Sequence, residues 1–95
     1  MEFEWDANKN RANLIKHGID FATATLVFAD PHLVVQEDRI DGDGEQRWHA
    51  LGIAEGLEPI LVVVHVYRES IYGEEIIRII SARAARPSES RAYFK

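Results

Sequence analysis

Cysteine is absent from this chain, and only three prolines and six glycines occur in its 95 residues. Without cysteine there is no disulfide framework, no thiol nucleophile and no zinc site built on thiolates. The scarcity of proline and glycine, with 46% hydrophobic residues, excludes a collagen-like or low-complexity chain. Long apolar runs are missing too. The longest, Ile60–Val64, suits a buried strand and falls far short of the roughly 20 residues that a membrane span needs. Met1–Asn10 holds three acids and one lysine, so no secretory signal is read there. A single domain over 1–95 with one core and a cytoplasmic location are expected, with no membrane contact.

What charge is present is unevenly spread. The formal net charge is −5. Residues 1–59 carry twelve acids against five bases, whereas the segment from Ile76 onward carries Arg78, Arg83, Arg86, Arg91 and Lys95 against Glu89 alone. The total discourages nucleic-acid binding, but binding follows local potential, and the carboxyl-terminal fifth is locally basic.

Phe3-Glu4-Trp5 reads as an edge strand or as an apolar staple before a helix. Asp6 is a predicted N-cap for a helix over Ala7–His17, with Gly18 as its left-handed stop. Ala7, Leu14 and Ile15 give that helix a modest apolar face. Asp20 caps a second predicted helix, in which Phe21, Ala24, Val27 and Phe28 recur at helical spacing until Asp30-Pro31 ends it. From His32 to Arg83 the pattern is β. Leu33–Glu37 and Arg47–Ile53 are predicted strands around the turn cluster Asp41–Gly44. Ile60–Tyr67 is the central one, and Ile76–Ser81 follows a hairpin at Tyr72-Gly73. Pro87 suits the start of a short last helix, docked by Tyr93 or Phe94. The expected class is therefore α+β: a small antiparallel sheet with two N-terminal helices and a short C-terminal helix packed against it.

These residues, taken in order, resemble the BrnT family, the toxin half of a type II toxin–antitoxin pair with a RelE-like ribonuclease fold. The resemblance lies in Phe3-Glu4-Trp5-Asp6, Asn13, Lys16-His17-Gly18, Phe21, Val27-Phe28, Asp30-Pro31, Glu45, Arg47-Trp48, Leu51-Gly52 and Ile77–Arg83. It implies an endoribonuclease toxin that arrests translation, binds RNA, and is neutralised by a BrnA-like antitoxin through which alone it would meet DNA. Toxins of this class are usually basic, and this chain departs from them in being acidic.

RNA cleavage without a metal or other cofactor needs a group to activate the ribose 2′-OH, cations for the phosphate, and an acid for the leaving oxygen. Arginine suits the cationic role because its planar fork grips phosphate. Arg78 lies among isoleucines, where a guanidinium must be paired with Glu45, Glu37 or a helix carboxylate, or must reach a cleft. Regular alternation sends Arg78 and Arg83 to opposite faces, so a bulge or strand end near Ser81 is required for both to reach one ligand. Arg68 is read either as a surface ion pair beside Glu69 or as a phosphate ligand. Arg47 shares a face with His49 and Leu51. Lys16 and His17 end the first helix, where the dipole favours cations, and His17 is also an acid/base candidate. Glu45 is the candidate general base, to be kept ionised by neighbouring arginines.

The candidate set is thus Glu45, His17, Arg78 and Arg83 for catalysis, with Lys16, Arg47, Arg68 and Arg86 on phosphate. His65 is expected as a satisfied core histidine, and Trp5 and Trp48 as core or partner-contact residues. With no His-x-x-x-His spacing, no metal site is expected. The other reading of the chain is a non-catalytic module whose acidic first two-thirds holds a basic antitoxin.

Overall fold

The computed structural model describes all residues from 1 to 95. In chain order the elements are β1 (Glu2–Glu4), α1 (Ala7–His17), α2 (Phe21–Thr25), a 3-10 turn (Leu26–Ala29), β2 (Val34–Ile40), β3 (Gln46–Ala54), β4 (Leu57–Glu69), β5 (Glu75–Ala84) and α3 (Pro87–Tyr93). No helix is long and apolar enough to cross a membrane. The five strands form one sheet in the order β1-β5-β4-β3-β2, with β4 at its centre.

The sheet is mixed, which corrects the antiparallel expectation. β1 lies parallel to β5 at the edge, with Phe3 beside Ile77 and Glu4 beside Arg78. From that edge α1 and α2 carry the chain across one face of the sheet to β2 at the opposite edge, where the antiparallel meander begins. The β3–β4 link is a two-residue hairpin in which Glu55 and Gly56 both have positive φ, 52° and 74°, matching the twist of the flanking strands.

α1 starts and stops where its caps dictate. The Asp6 carboxylate accepts the Lys9 amide at 2.9 Å, and Gly18 takes φ 71° while its amide returns to the Leu14 carbonyl. The apolar face read in this helix is not what packs, since Leu14 and Ile15 are exposed. Asn13 docks the helix instead. Its Nδ2 donates to the carbonyls of Ile19 and Ala82, both at 2.8 Å, and its Oδ1 accepts the Ala82 amide at 3.1 Å. One buried amide thus ties α1 to β5 and to the turn after α1.

The second helix is shorter than its pattern suggests: five α-helical residues, then a tighter 3-10 turn over Leu26–Ala29. Gly52 explains the fit against β3. A Cβ there would stand 2.8 Å from Val27 Cγ1 and 3.2 Å from Asp30 Oδ2, so only glycine lets the 3-10 turn approach.

Two clusters flank the sheet. The larger joins Phe21, Ala24 and Val27 to Ala50, Leu61, Val63, Ile77, Ile79 and Ala82, with Phe3, Trp5 and Phe28 at its margin. The smaller, on the opposite face, holds Leu51, Ile60, Val62 and Tyr93, so α3 covers only one end of that face. The rest of it is left without a helix. His65, on the helix side, is fully buried between Phe28 and Tyr67, with ring centroids at 4.9 and 5.0 Å. Its Nδ1 lies 3.1 Å from the Val63 carbonyl, but Nε2 has no partner, which corrects the reading of a satisfied core histidine.

Candidate active site on the open sheet face

Register decides which side chains share the open face. Between β4 and β5, Val64 pairs with Ser81, yet the next residue, His65, pairs with Ile79, so Ile80 has no partner. This bulge advances the alternation by one residue. Arg83 stands opposite Val62 and Arg78 opposite Val66, and both arginines therefore lie on the same face. Both valines are buried, at 0% and 1% exposure, beneath side chains whose apolar stems can shield them while the charged heads stay wet.

The same face gathers more. Across β3 and β4, His49 pairs with Val64 and Leu51 with Val62, so Arg47 and His49 project on the arginine side. Arg68 projects there as well, two residues beyond Val66. Glu45, just ahead of β3, reaches it, with Arg68 Nη2 donating to Glu45 Oε1 at 3.2 Å. Arg47, Arg68, Arg78, Arg83, Glu45 and His49 thus form one continuous polar surface on β3, β4 and β5.

Each arginine has a carboxylate partner. Arg47 Nε donates to Asp41 at 2.6 Å, and Arg83 grips Glu89 of α3 through two parallel bonds of 2.8 Å. Arg78 pairs with Glu4 of β1, not with Glu45, Glu37 or a helix carboxylate as the sequence suggested. Arg68 takes Glu45 where the sequence pointed to Glu69. His49 Nε2 lies 3.1 Å from Asp38 Oδ2, which crosses from β2.

The titration behaviour follows from these contacts. The Arg83 guanidinium is raised chiefly by its hydrogen bonds to Glu89, burial opposing, with smaller help from the charges of Glu89 and Asp38. Glu89 is correspondingly held down to about 2, first by the Arg83 bonds and, against burial, by the Arg86 amide and the two arginine charges. Arg68 is raised chiefly by its bond to Glu45, with the charges of Glu4 and Asp43 adding to it. These couplings reach from the β1 edge to the β2–β3 hairpin, as expected for one electrostatic surface.

The remaining candidates separate. Lys16 and His17 are exposed at the end of α1, which packs on the helix-covered side, so they do not join the arginines. Arg86 is exposed at the N-cap of α3, beside Arg83 and Glu89 but at the margin of the surface. Tyr93 is a structural anchor: its hydroxyl donates to Asp30 Oδ2 at 2.6 Å, and the same oxygen accepts the Ile53 amide at 2.8 Å. Trp48, half-buried on the helix side, meets Tyr67 edge-on at 5.8 Å. His49 and Asp38 went unselected from sequence. Their only signal there was that His49 alternates with Arg47 and Leu51; the pairing of Asp38 needs the β2–β3 register. No three His, Asp or Glu side chains are placed to hold a metal ion.

No match was found among curated proteins. A family model, however, described as "Ribonuclease toxin, BrnT, of type II toxin-antitoxin system", matches residues 5–89. That span contains β2 to β5 whole, the bulge at Ile80 and every side chain of the arginine surface except Glu4. The chain therefore belongs to the BrnT family of ribonuclease toxins of type II toxin–antitoxin systems.

Proposed function

We propose that this toxin cleaves RNA without a metal ion on the open face of its sheet, and that translation stops as a result. The observation that carries this reading is the bulge at Ile80, which turns Arg78 and Arg83 to the same side as Arg47 and Arg68. Four guanidinium groups on a surface that α3 covers only at one end are the cation array that a phosphodiester in transition requires. Their present carboxylate partners occupy the positions that phosphate oxygens would take. Glu45, held in place by its contact with Arg68, serves as base for the ribose 2′-OH. Arg78 and Arg83 stabilise the charge that develops on the phosphate, and Arg47, Arg68 and Arg86 hold the flanking backbone.

The acid face reads as complementary to its neutraliser. Asp41, Asp43 and Glu45 at the β2–β3 hairpin, with Glu37 and Asp38 on the β2 edge, suit a basic segment of a BrnA-like antitoxin. Such a segment would cover the arginine surface from its β2 side, and any contact with DNA would come through the antitoxin. A RelE-like arrangement and a cytoplasmic site of action accompany this reading.

Incubating the purified chain with RNA, with and without chelator, is the test. Chelator-resistant cleavage that falls at least 100-fold in a folded Arg78→Ala, Arg83→Ala double variant supports the reading. Unchanged cleavage by that variant removes the arginines from the mechanism. No cleavage at high protein concentration favours the non-catalytic binding module.

A further inference from the structure

His49 and Asp38 lie on this surface without a part in the chemistry so far described. The His49 side chain is 22% exposed and that of Asp38 32%, with Nε2 and Oδ2 3.1 Å apart. They belong to adjacent strands, β3 and β2. The ring stands opposite Val64 and one row from Arg47, while Ser81 pairs with that same valine from the other side. A carboxylate on one ring nitrogen fixes the ring's orientation and leaves Nδ1 as the nitrogen for a ligand.

Resting on the ribonuclease reading, we infer that His49 is the general acid of the cleavage, with Asp38 as the residue that positions it. The ribose 2′-oxygen forms a bond to phosphorus as Glu45 takes the hydroxyl proton. The bond from phosphorus to the 5′-oxygen breaks, and that oxygen takes a proton from the His49 imidazolium. The products are a 2′,3′-cyclic phosphate and a free 5′-hydroxyl, with no oxidant, reductant or metal consumed. His49 fits where His17 does not, because it stands on the face that Arg47, Arg78 and Arg83 share.

The charged groups around His49 come from every packed element. They are Asp38 on β2, Arg47 on its own strand, Arg78 and Arg83 on β5, and Glu89 of α3 held by Arg83, while the titratable His65 of β4 lies buried on the other side of the sheet.

The experiment uses the full chain and a short RNA that reports both products. His49→Gln and His49→Ala are expected to lower kcat about 100-fold or more, with KM within about threefold, and to abolish the limb of the pH–rate profile that requires a protonated acid. Asp38→Asn is expected to lower kcat about tenfold and shift that limb with KM unchanged, whereas a purely structural cross-strand pair would lower the melting temperature and leave the profile in place. An active parent whose folded His49 variants keep rate and profile overturns this assignment alone. A parent that does not cleave RNA overturns the ribonuclease reading and this assignment together.

Discussion

Arg78 and Arg83 project from the same face of the sheet although five positions separate them, because Ile80 drops out of register with β4. An odd separation in a regular strand would put one of them into the core beside Ile77 and Ile79. The bulge turns a packing liability into a pair of cations on one surface. Each should therefore neutralise one phosphate. In a titration of labelled RNA at several salt concentrations, Arg78→Ala and Arg83→Ala are each expected to weaken binding and to reduce the salt slope by about 1. Equal slopes for parent and variants would place RNA elsewhere.

The same arginines are restrained by carboxylates, and one restraint can be removed by charge alone. Glu4→Gln leaves β1 paired but frees Arg78 from its partner. The variant is expected to bind RNA tighter than the parent at low salt, with the gain fading as salt screens it. Looser binding at every salt concentration would show that Glu4 matters only for holding β1.

The docking of α3 should be acid-sensitive. Glu89 is held at about 2 in the folded chain against an ordinary 4.5. Asp30 is also lowered, for although burial works to raise it, the Tyr93 hydroxyl and the His32 and Ile53 amides outweigh that burial. Groups depressed on folding contribute stability that is complete above their unfolded values and is lost as pH falls through the folded ones. α3 is thus expected to release between about pH 4.5 and 2, read by near-UV circular dichroism of Tyr93. Glu89→Gln should weaken the release and lower stability already at pH 7. A signal that stays flat over this range in the parent would contradict the latch.

His65 adds a second loss of stability on the acid side, at higher pH. Its value is lowered, first by burial, with the Val63 carbonyl acting against this and His49 adding a little. The unfolded chain therefore binds the proton more readily, and stability falls as pH drops below about 6.5. His65→Leu removes both the proton site and the unpartnered Nε2. Denaturant melts at pH 5.5 and 7.5 are expected to show a smaller difference for the variant than for the parent, with stability at pH 7.5 equal or higher by about 1 kcal/mol. A loss of several kcal/mol would mean that the ring's packing against Phe28 and Tyr67 outweighs the unpaired nitrogen.

Asn13→Ala removes three hydrogen bonds and leaves both polar groups of the Ala82 peptide without the partner that satisfies them in the buried interface. A destabilisation of about 2–4 kcal/mol is expected by chemical denaturation. A change under 0.5 kcal/mol would show that α1 is held by other contacts.

Local signals were the legible part of the sequence. Asp6, Gly18, Asp20 and Pro31 bounded the helices, and the apolar run at Ile60–Val64 marked the central strand. Arg78 could be chosen because a guanidinium among isoleucines is conspicuous, and Arg68 and Arg83 because they close their strands. Whether they converge depended on one unpaired residue, and a bulge leaves no trace in periodicity until the partner strand is known. The parallel pairing of β1 was hidden for a related reason: three residues carry too little pattern to choose an edge. His49 and Asp38 met only through the register of β2 on β3, and α1 was read from its apolar positions when a polar one, Asn13, makes the contact.

The pairing of Glu4 with Arg78 also has a bearing on when the protein becomes active. The two residues are 74 positions apart, and β1 has no place in the sheet until β5 exists to receive it. During synthesis the first strand must wait unpaired for most of the chain to emerge, and closing so long a loop belongs to the slow, late part of assembly. Arg78 and Arg83 leave the ribosome long after α1 and α2. A nascent chain therefore carries its acidic hairpin before β5, so on the proposed reading an antitoxin drawn to that hairpin arrives before there is any toxin to restrain.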